Sequence, residues 1–309
     1  MHKKNMEVTI IGAGPAGVSA GVYLQRAGFN PVIVERDEIG GLIRNACLVE
    51  NYPGLPPGGV RGSDLALLFK DQLKHLGVNV IKNTVHRIDY QDDGFLIRMK
   101  DDVIVSHVVI VASGTKPRKN MFNVSSILEG DRLFYDLISF NRGKPERVIV
   151  IGGGDVAFDY ALTLLGEGCV VDVLCRSEPR CLPLLRSRVS VKGGRVHSNC
   201  IIDRIKKQGD RVVVEYKQDG EECSLTANYV LVASGREPEV GFLSESLKKA
   251  YESCRDKECI VSSIPGLYFT GDVIRGRYRQ VGIAVGDGLH AAMLAEEFIR
   301  NDKNEGDVY

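Results

Sequence analysis

No two cysteines of this 309-residue chain stand in a Cys-x-x-Cys arrangement, although there are eight of them. They are scattered over positions 47, 169, 175, 181, 200, 223, 254 and 259, and the six histidines are scattered too. That scatter matches no metal-ligand spacing, so no metal site is expected, and unpaired thiols suit a reducing cytoplasm. Net charge is also lacking: 40 Lys and Arg balance 40 Asp and Glu, which removes any global electrostatic argument for nucleic acid. No apolar run is long enough to span a bilayer, so no membrane span is expected. Lys3 and Lys4 ahead of Val8 to Val18 loosely imitate an export signal. A strand, a glycine turn and a helix start account better for the same residues. With 44% hydrophobic and 26% charged residues, the chain is an ordinary globular one, long enough for two domains with separate cores.

Two glycine-rich fingerprints stand out from this background. The first is Gly12-Ala13-Gly14-Pro15-Ala16-Gly17 and the second is Gly152-Gly153-Gly154-Asp155-Val156-Ala157. Each follows a short apolar run, Val8 to Ile11 or Val148 to Ile151, of the kind that forms a buried parallel strand. In such a unit the first glycine permits a tight turn, the second lets the backbone approach a pyrophosphate, and the third allows close helix-strand packing. Ala157 in the third place still permits that packing. Free N–H groups and the dipole of the following helix then favour phosphate. One such motif is a weak signal; two in the right context point to a protein that holds two nucleotides and moves electrons between them.

The residues downstream separate the two nucleotides. The strand Pro31 to Val34 ends in Glu35, at the distance where a carboxylate accepts bonds from ribose hydroxyls and repels a 2′-phosphate. The strand Val170 to Leu174 ends instead in Cys175 and Arg176, with Ser177 and Arg180 close behind. Arginines there can bind a 2′-phosphate by charge and paired hydrogen bonds, so NADPH is favoured over NADH. A solvated loop is the alternative for these arginines.

Further motifs carry a resemblance. Gly40-Gly41-Leu42-Ile43, the run Val49-Glu50-Asn51-Tyr52-Pro53-Gly54, Gly62-Ser63-Asp64-Leu65, and Gly266-Leu267-Tyr268-Phe269-Thr270-Gly271-Asp272 together resemble the low-molecular-weight thioredoxin reductases. The resemblance runs from about Val8 to Ile299. It implies an α/β fold of two Rossmann-like, three-layer ββα nucleotide-binding domains. A discontinuous FAD domain (1–115 and 239–309) would carry an inserted NAD(P)H domain (116–238). Val111-Ala112-Ser113-Gly114-Thr115 and Val232-Ala233-Ser234-Gly235-Arg236 would mark the crossings. FAD would meet Gly40 and Gly41 at its pyrophosphate, Asn51 near the flavin, and Asp272 at the ribityl chain. Arg279-Gln280-Val281 would turn into a helix that favours negative charge on the reduced flavin. The resemblance also adds Arg36, Val85, Ser113 and Gly114 to the first site, and Ser234 and Gly235 to the second. Tyr52 is either a flavin-side aromatic or core filling. For the last helix, about Gly282 to Arg300, Ala284, Leu289, Ala292, Ala295 and Phe298 are the expected packed face, and the family implies a homodimer.

One departure from the family decides the functional reading. The thioredoxin reductases carry a Cys-x-x-Cys pair just before the second fingerprint, and here that region reads Asp131-Arg132-Leu133-Phe134-Tyr135-Asp136-Leu137-Ile138. Disulfide chemistry needs an attacking and a resolving sulfur. The expected function is therefore an FAD-dependent NAD(P)H oxidoreductase with a non-dithiol acceptor: a ferredoxin- or flavodoxin-type carrier, a quinone, oxygen or a small oxidant. Lys116, Arg118, Lys119, Arg275, Arg277 and Arg279 are candidates to dock an acidic carrier. No side chain is named as a catalytic acid or base. The alternatives are a flavin-binding sensor or partner protein without turnover, and a disulfide reductase using an external or atypical thiol pair such as Cys254 and Cys259.

Overall fold

A computed structural model describes residues 2–92, 94–119, 121–124, 128–140, 146–257 and 260–306. In chain order the first elements are β1 (His2–Ile11), α1 (Pro15–Arg26), β2 (Val32–Glu35), α2 (Gly62–Leu76), β3 (Asn79–Lys82), β4 (Arg87–Gln91), β5 (Gly94–Arg98), β6 (Asp102–Val111) and β7 (Thr115–Pro117). There follow β8 (Asn123–Val124), β9 (Leu133–Phe134), β10 (Arg147–Ile151), α3 (Asp155–Gly166), β11 (Val170–Leu174), α4 (Pro183–Val191), β12 (Arg195–His197), β13 (Cys200–Gln208), β14 (Arg211–Gln218), β15 (Glu221–Ala227) and β16 (Tyr229–Val232). The chain closes with β17 (Arg236–Pro238), α5 (Glu245–Lys257), β18 (Leu267–Phe269) and α6 (Val281–Gly306). It divides into two compact units: Met1–Arg44 with Glu50–Lys116 and Pro238–Tyr309, and Asn45–Val49 with Pro117–Glu237.

The first unit is built on a sheet of order β3-β2-β1-β6-β5-β4. Its central strands are parallel and mostly apolar at the end nearer the glycine turn: Val8 and Ile10 in β1, and Val108 to Val111 in β6, are all inaccessible to solvent. Covered on both faces, such strands read as continuous hydrophobic runs instead of alternating ones. One edge of β6 is shared: β5 runs antiparallel along Val103 to Ser106, and β18 runs parallel along Val109 to Val111. Two helices from opposite ends of the sequence, α1 and α6, meet closely. A Cβ on Gly288 would lie 2.0 Å from the Ala16 carbonyl oxygen, so the crossing needs a residue with no side chain. Ser19 Oγ donates to the Val285 carbonyl at 2.8 Å, and the Tyr23 hydroxyl to Glu296 at 2.7 Å. Of the expected packed face of α6, Ala284, Ala292 and Ala295 are buried, but Leu289 is exposed. Small residues set this contact, and a leucine-sized side chain would hold the helices apart.

The second unit has three layers. A parallel sheet, β12-β11-β10-β16-β9, lies between helices and a second sheet, β15-β14-β13-β8. The alternation along β10 shows how: Val148 and Val150 pack with Phe158, Leu164 and other helix residues, whereas Ile149 and Ile151 pack with Val212, Val214 and Tyr216 of the second sheet. Between the layers, Asp172 is buried and bonded to Arg147, Arg195 and His197 at 3.1, 2.8 and 3.0 Å. These bonds hold its carboxyl below the usual range against the opposing pull of burial.

Two candidate nucleotide sites

In the first unit the roles of the glycines separate by what surrounds them. Gly12 has φ +103°, and a Cβ there would stand 2.5 Å from the Ala112 carbonyl oxygen; on Gly17 it would stand 1.9 Å from the Gly12 carbonyl. Both are required by the chain's own packing. Gly14 is different. Its φ of −72° suits any residue, and nothing lies within 4 Å of its missing Cβ. The bare position leaves open space beside the turn. Gly14 is also the N-cap of α1 and brings no side-chain cap, with Pro15 setting the first turn, so the helix's first N–H groups are available to an anion.

The sequence-predicted residues gather around this turn. Gly40 N–H donates to the Ala13 carbonyl at 2.8 Å, and a Cβ on Gly41 would be 3.3 Å from Gly14 Cα. Leu42 and Ile43 continue in a three-ten turn, Gly41–Asn45. Glu35 accepts the Ala13 N–H at 2.6 Å and the Asp37 N–H at 2.8 Å, so its carboxylate also braces the glycine turn. A cavity of about 290 Å³ beside it is lined by Gly12, Glu35, Arg36, Val85 and Ser113. His86, Glu239 and Gly241, which sequence reasoning missed, line it too. Gly114 accepts the Glu239 N–H at 3.0 Å.

Residues far apart in sequence also meet in this unit. Asn51 Nδ2 donates to Gln280 Oε1 at 2.8 Å, and the Tyr52 ring is 3.8 Å from where a Gly282 Cβ would be. Gly271, with φ +74°, brings its turn to Ala16, where a Cβ would be 2.8 Å from the Ala16 methyl. Asp272 sits in the turn Gly271–Val273, and α6 begins at Val281 just beyond Arg279. Arg275, expected as a docking cation, is bound bidentately by the buried Asp287 at 2.6 and 2.7 Å. Lys116 pairs with Glu239 and Lys119 with Glu129. The docking expectation for Arg275 is thereby corrected.

The second unit repeats the logic with different chemistry. Gly152 has φ +155° and a Cβ there would meet the Ala233 carbonyl at 2.5 Å; Ala157 packs against the same glycine. Gly154, with φ −101°, again has nothing within 4 Å and no side-chain cap. Ile11 is paired with Val34 and Ile151 with Leu174, so Cys175 takes the register position that Glu35 holds in the first unit. Its thiol is fully buried, is bonded to the Gly152 carbonyl at 3.4 Å and is pushed up to about 12 by desolvation. No carboxylate therefore stands where the first unit has one.

The loop that follows is pinned at two points. Arg180 N–H donates to the Gly153 carbonyl at 2.7 Å, and Leu182 N–H to Asp155 Oδ1 at 2.8 Å. Asp155, expected at the cofactor, holds this loop. Arg176, Ser177 and Arg180 are exposed on it, and Val156 is exposed at the helix start. Glu178, an acid inside the loop, pairs with Arg186 at 3.3 Å. Ser234 Oγ reaches Met121 Sδ at 3.5 Å, and the Gly235 carbonyl accepts the Arg118 N–H.

Two features of this unit lay outside sequence reasoning. Residues 45–49 belong to it: the Asn45 side-chain oxygen accepts the Ile138 N–H at 2.9 Å, and half-buried Asp159 accepts the Cys47 N–H at 2.9 Å. Burial pushes the Asp159 carboxyl up to about 6. The region that lacks cysteines is occupied by structural residues. Leu133 and Phe134 are buried, and the Tyr135 hydroxyl donates to Glu129 at 3.0 Å. Desolvation and that carboxylate keep the Tyr135 phenol protonated, up to about 12. Cys254 is buried with its thiol on the Val261 carbonyl at 3.1 Å, and Cys259 lies outside the described residues. Among the described residues no cluster of His, Cys, Asp and Glu is arranged to hold a metal, and no helix is long and apolar enough to cross a membrane.

Set beside known proteins, residues 6–288 match the family model described as pyridine nucleotide-disulphide oxidoreductase. A 34.2 kDa protein in the rubredoxin operon of Clostridium pasteurianum is 28% identical, over 96% of this chain and 98% of its own length. The thioredoxin reductase of Lactococcus lactis superposes with a TM-score of 0.85 at 27% identity, covering 96% of this chain and 99% of that one. That of T. acidophilum gives 0.82 at 28% identity, covering 95% and 98%.

Proposed function

This chain belongs to the pyridine nucleotide-disulphide oxidoreductase family, and we propose that it passes electrons from NADPH through FAD to an acceptor other than a dithiol. It is an NAD(P)H-dependent flavoprotein oxidoreductase, and its family uses FAD and NADPH. The observation that carries the acceptor reading is the segment at 131–138, where buried apolar side chains and a protonated phenol stand in place of a thiol pair.

The residues present fit FAD in the first unit. Gly14 has open space at its α-carbon and Glu35 a carboxylate at the turn; Asn51, Asp272 and the start of α6 belong to the same unit. When bound, FAD would supply the redox chemistry, taking up the electron pair from NADPH and releasing it to the acceptor. The chain's own part is to bind, orient and exclude. Gly12 and Gly17 hold the turn, the first N–H groups of α1 meet the pyrophosphate, and the N-terminus of α6 favours negative charge nearby. In the second unit Gly154 admits the other pyrophosphate. Arg176 and Arg180 offer the 2′-phosphate two cations where Cys175 has removed the competing carboxylate.

Replacing Arg176 with Ala should weaken NADPH about tenfold or more, the size of a lost charge-assisted hydrogen bond, and leave NADH within about twofold. Initial rates with each nucleotide measure this, and equal losses would remove the phosphate assignment. Anaerobic addition of NADPH should bleach the flavin band without releasing thiols. Two new thiols per chain after reduction would replace this reading with a disulfide reductase, and an unbleached flavin would leave a binding protein without turnover.

The relative in a rubredoxin operon supports a small protein electron carrier as the acceptor, and a screen of carriers, quinones and oxygen against the bleached protein identifies it. Free thiols at all seven described cysteines suit a reducing cytoplasm. Exposed Ile283, Leu289 and Met293 leave apolar surface on α6 that suits a homodimer.

A further inference from the structure

The cavity of the first unit has one wall that the fingerprint does not supply. Glu239 follows β17, and its backbone is fastened to the residues after β6. Its N–H donates to the Gly114 carbonyl at 3.0 Å, and its carbonyl accepts the Ser113 hydroxyl at 2.6 Å. The carboxylate is then shared by two cations, Arg36 Nη1 at 3.4 Å and Lys116 Nζ at 3.4 Å. Gly241, another lining residue, shows where that carboxylate lies: a Cβ there would be 3.6 Å from Glu239 Oε1 and 3.9 Å from Lys116 Nζ. Arg36 comes from the end of β2, so its pair with Glu239 joins two segments of the lining that are 203 residues apart in sequence. The Glu239 side chain is 17% exposed and that of Arg36 55%, which gives the tie one inner and one outer end.

We propose that the Arg36–Glu239 pair is a tie across the cavity that sets how long FAD stays bound, separate from ribose recognition by Glu35. This rests on the proposal that FAD binds the first unit with its ribose at Glu35, a residue of the cavity lining, so that the cavity takes the adenosine end. A tie that must open before the ligand leaves acts on the dissociation rate more than on the association rate. The second cation, Lys116, has its own contact to the same carboxylate but does not come from the β2 end, so it is the natural control.

The test is the dissociation rate of FAD from the holoprotein, read as flavin fluorescence after dilution. Glu239→Gln keeps both backbone bonds and loses both ion pairs; Arg36→Met and Lys116→Met lose one each. Glu239→Gln and Arg36→Met should each speed release about fivefold, the size expected of a half-exposed ion pair. The double variant should be no faster than either single one, and Lys116→Met should stay within about twofold of wild type. Added salt should accelerate the wild type and leave Glu239→Gln unchanged. Wild-type release rates in both Glu239→Gln and Arg36→Met would overturn the tie while leaving the adenosine reading intact. An effect in Lys116→Met without one in Arg36→Met would overturn it as well. A wild-type chain that takes up no FAD would overturn the reading of the cavity itself, and the tie with it.

Discussion

Gly14→Leu should give a folded chain that no longer retains FAD, and Gly154→Leu a chain that retains FAD but is not reduced by NADPH. At neither position would a Cβ come within 4 Å of a protein atom beyond its chain neighbours, and neither has a left-handed φ. The direct cost to the fold is the exchange of one uncapped N-cap residue for another, about 1 kcal/mol. The whole of the added side chain occupies the space through which a pyrophosphate must approach the helix N-terminus. A loss of at least about a hundredfold in affinity is expected in each case, equivalent to about 2.7 kcal/mol. Flavin content after purification measures the first variant, and the rate of anaerobic bleaching measures the second. Thermal melts of the apoproteins within a few degrees of wild type would show that both are folded. The same exchange at Gly12, Gly17 or Gly152 carries no such information, since those glycines meet backbone at 1.9 to 2.5 Å and the fold itself would fail.

Asp172→Ala should be the most damaging polar substitution in the second unit, at about 3 kcal/mol or more. It would leave Arg147, Arg195 and His197 facing each other around a buried hole, with their hydrogen bonds to the lost carboxylate unreplaced. The pH dependence follows from the lowered carboxyl. The native state holds the charged form more tightly than the unfolded chain does, so the stabilisation is fully present above about pH 4. It is lost as the pH falls through the lower native value. Chemical denaturation of wild type and Asp172→Asn from pH 3 to 7 checks both statements. The wild type should lose stability at the acid end, and the variant should be weaker at neutrality with a flatter acid limb. Equal slopes would remove Asp172 as the source.

Much of this architecture is legible from one-dimensional pattern. Val148 to Ile151 reads as a strand because every residue is apolar, and it is so because both faces are covered, by helices on one side and by β13 to β15 on the other. Asp219-Gly220 reads as a turn and adopts one, with φ values of +50° and +94°. What escapes such reading is set by contacts between distant residues. Nothing near Gly288 shows that the Ala16 carbonyl will lie against it. Nor does anything near Glu239 announce Arg36, which is 203 residues away. The placement of residues 45–49 with the second unit depends on Asp159, a carboxylate on α3 that accepts a backbone N–H. Leu289 fails as a core residue for a related reason. Helical periodicity gives the angular position of a side chain but not how closely the neighbouring helix approaches.

The shared edge of β6 has a bearing on how the protein is made. Its lower half is closed by β5, which leaves the ribosome just before it, but its upper half waits for β18, synthesised about 160 residues later. The long continuous stretch of the second unit, from Pro117 to Glu237, emerges in between and has its own two hydrophobic clusters to bury. Gly12 to Gly17, the first part of the proposed FAD site to be translated, thus stays without Gly271, Asp272 and α6 until translation is nearly over. The proposed flavin site is begun first and finished last, and a nascent chain interrupted before Leu267 carries a complete fingerprint without Gly271, Asp272 or α6.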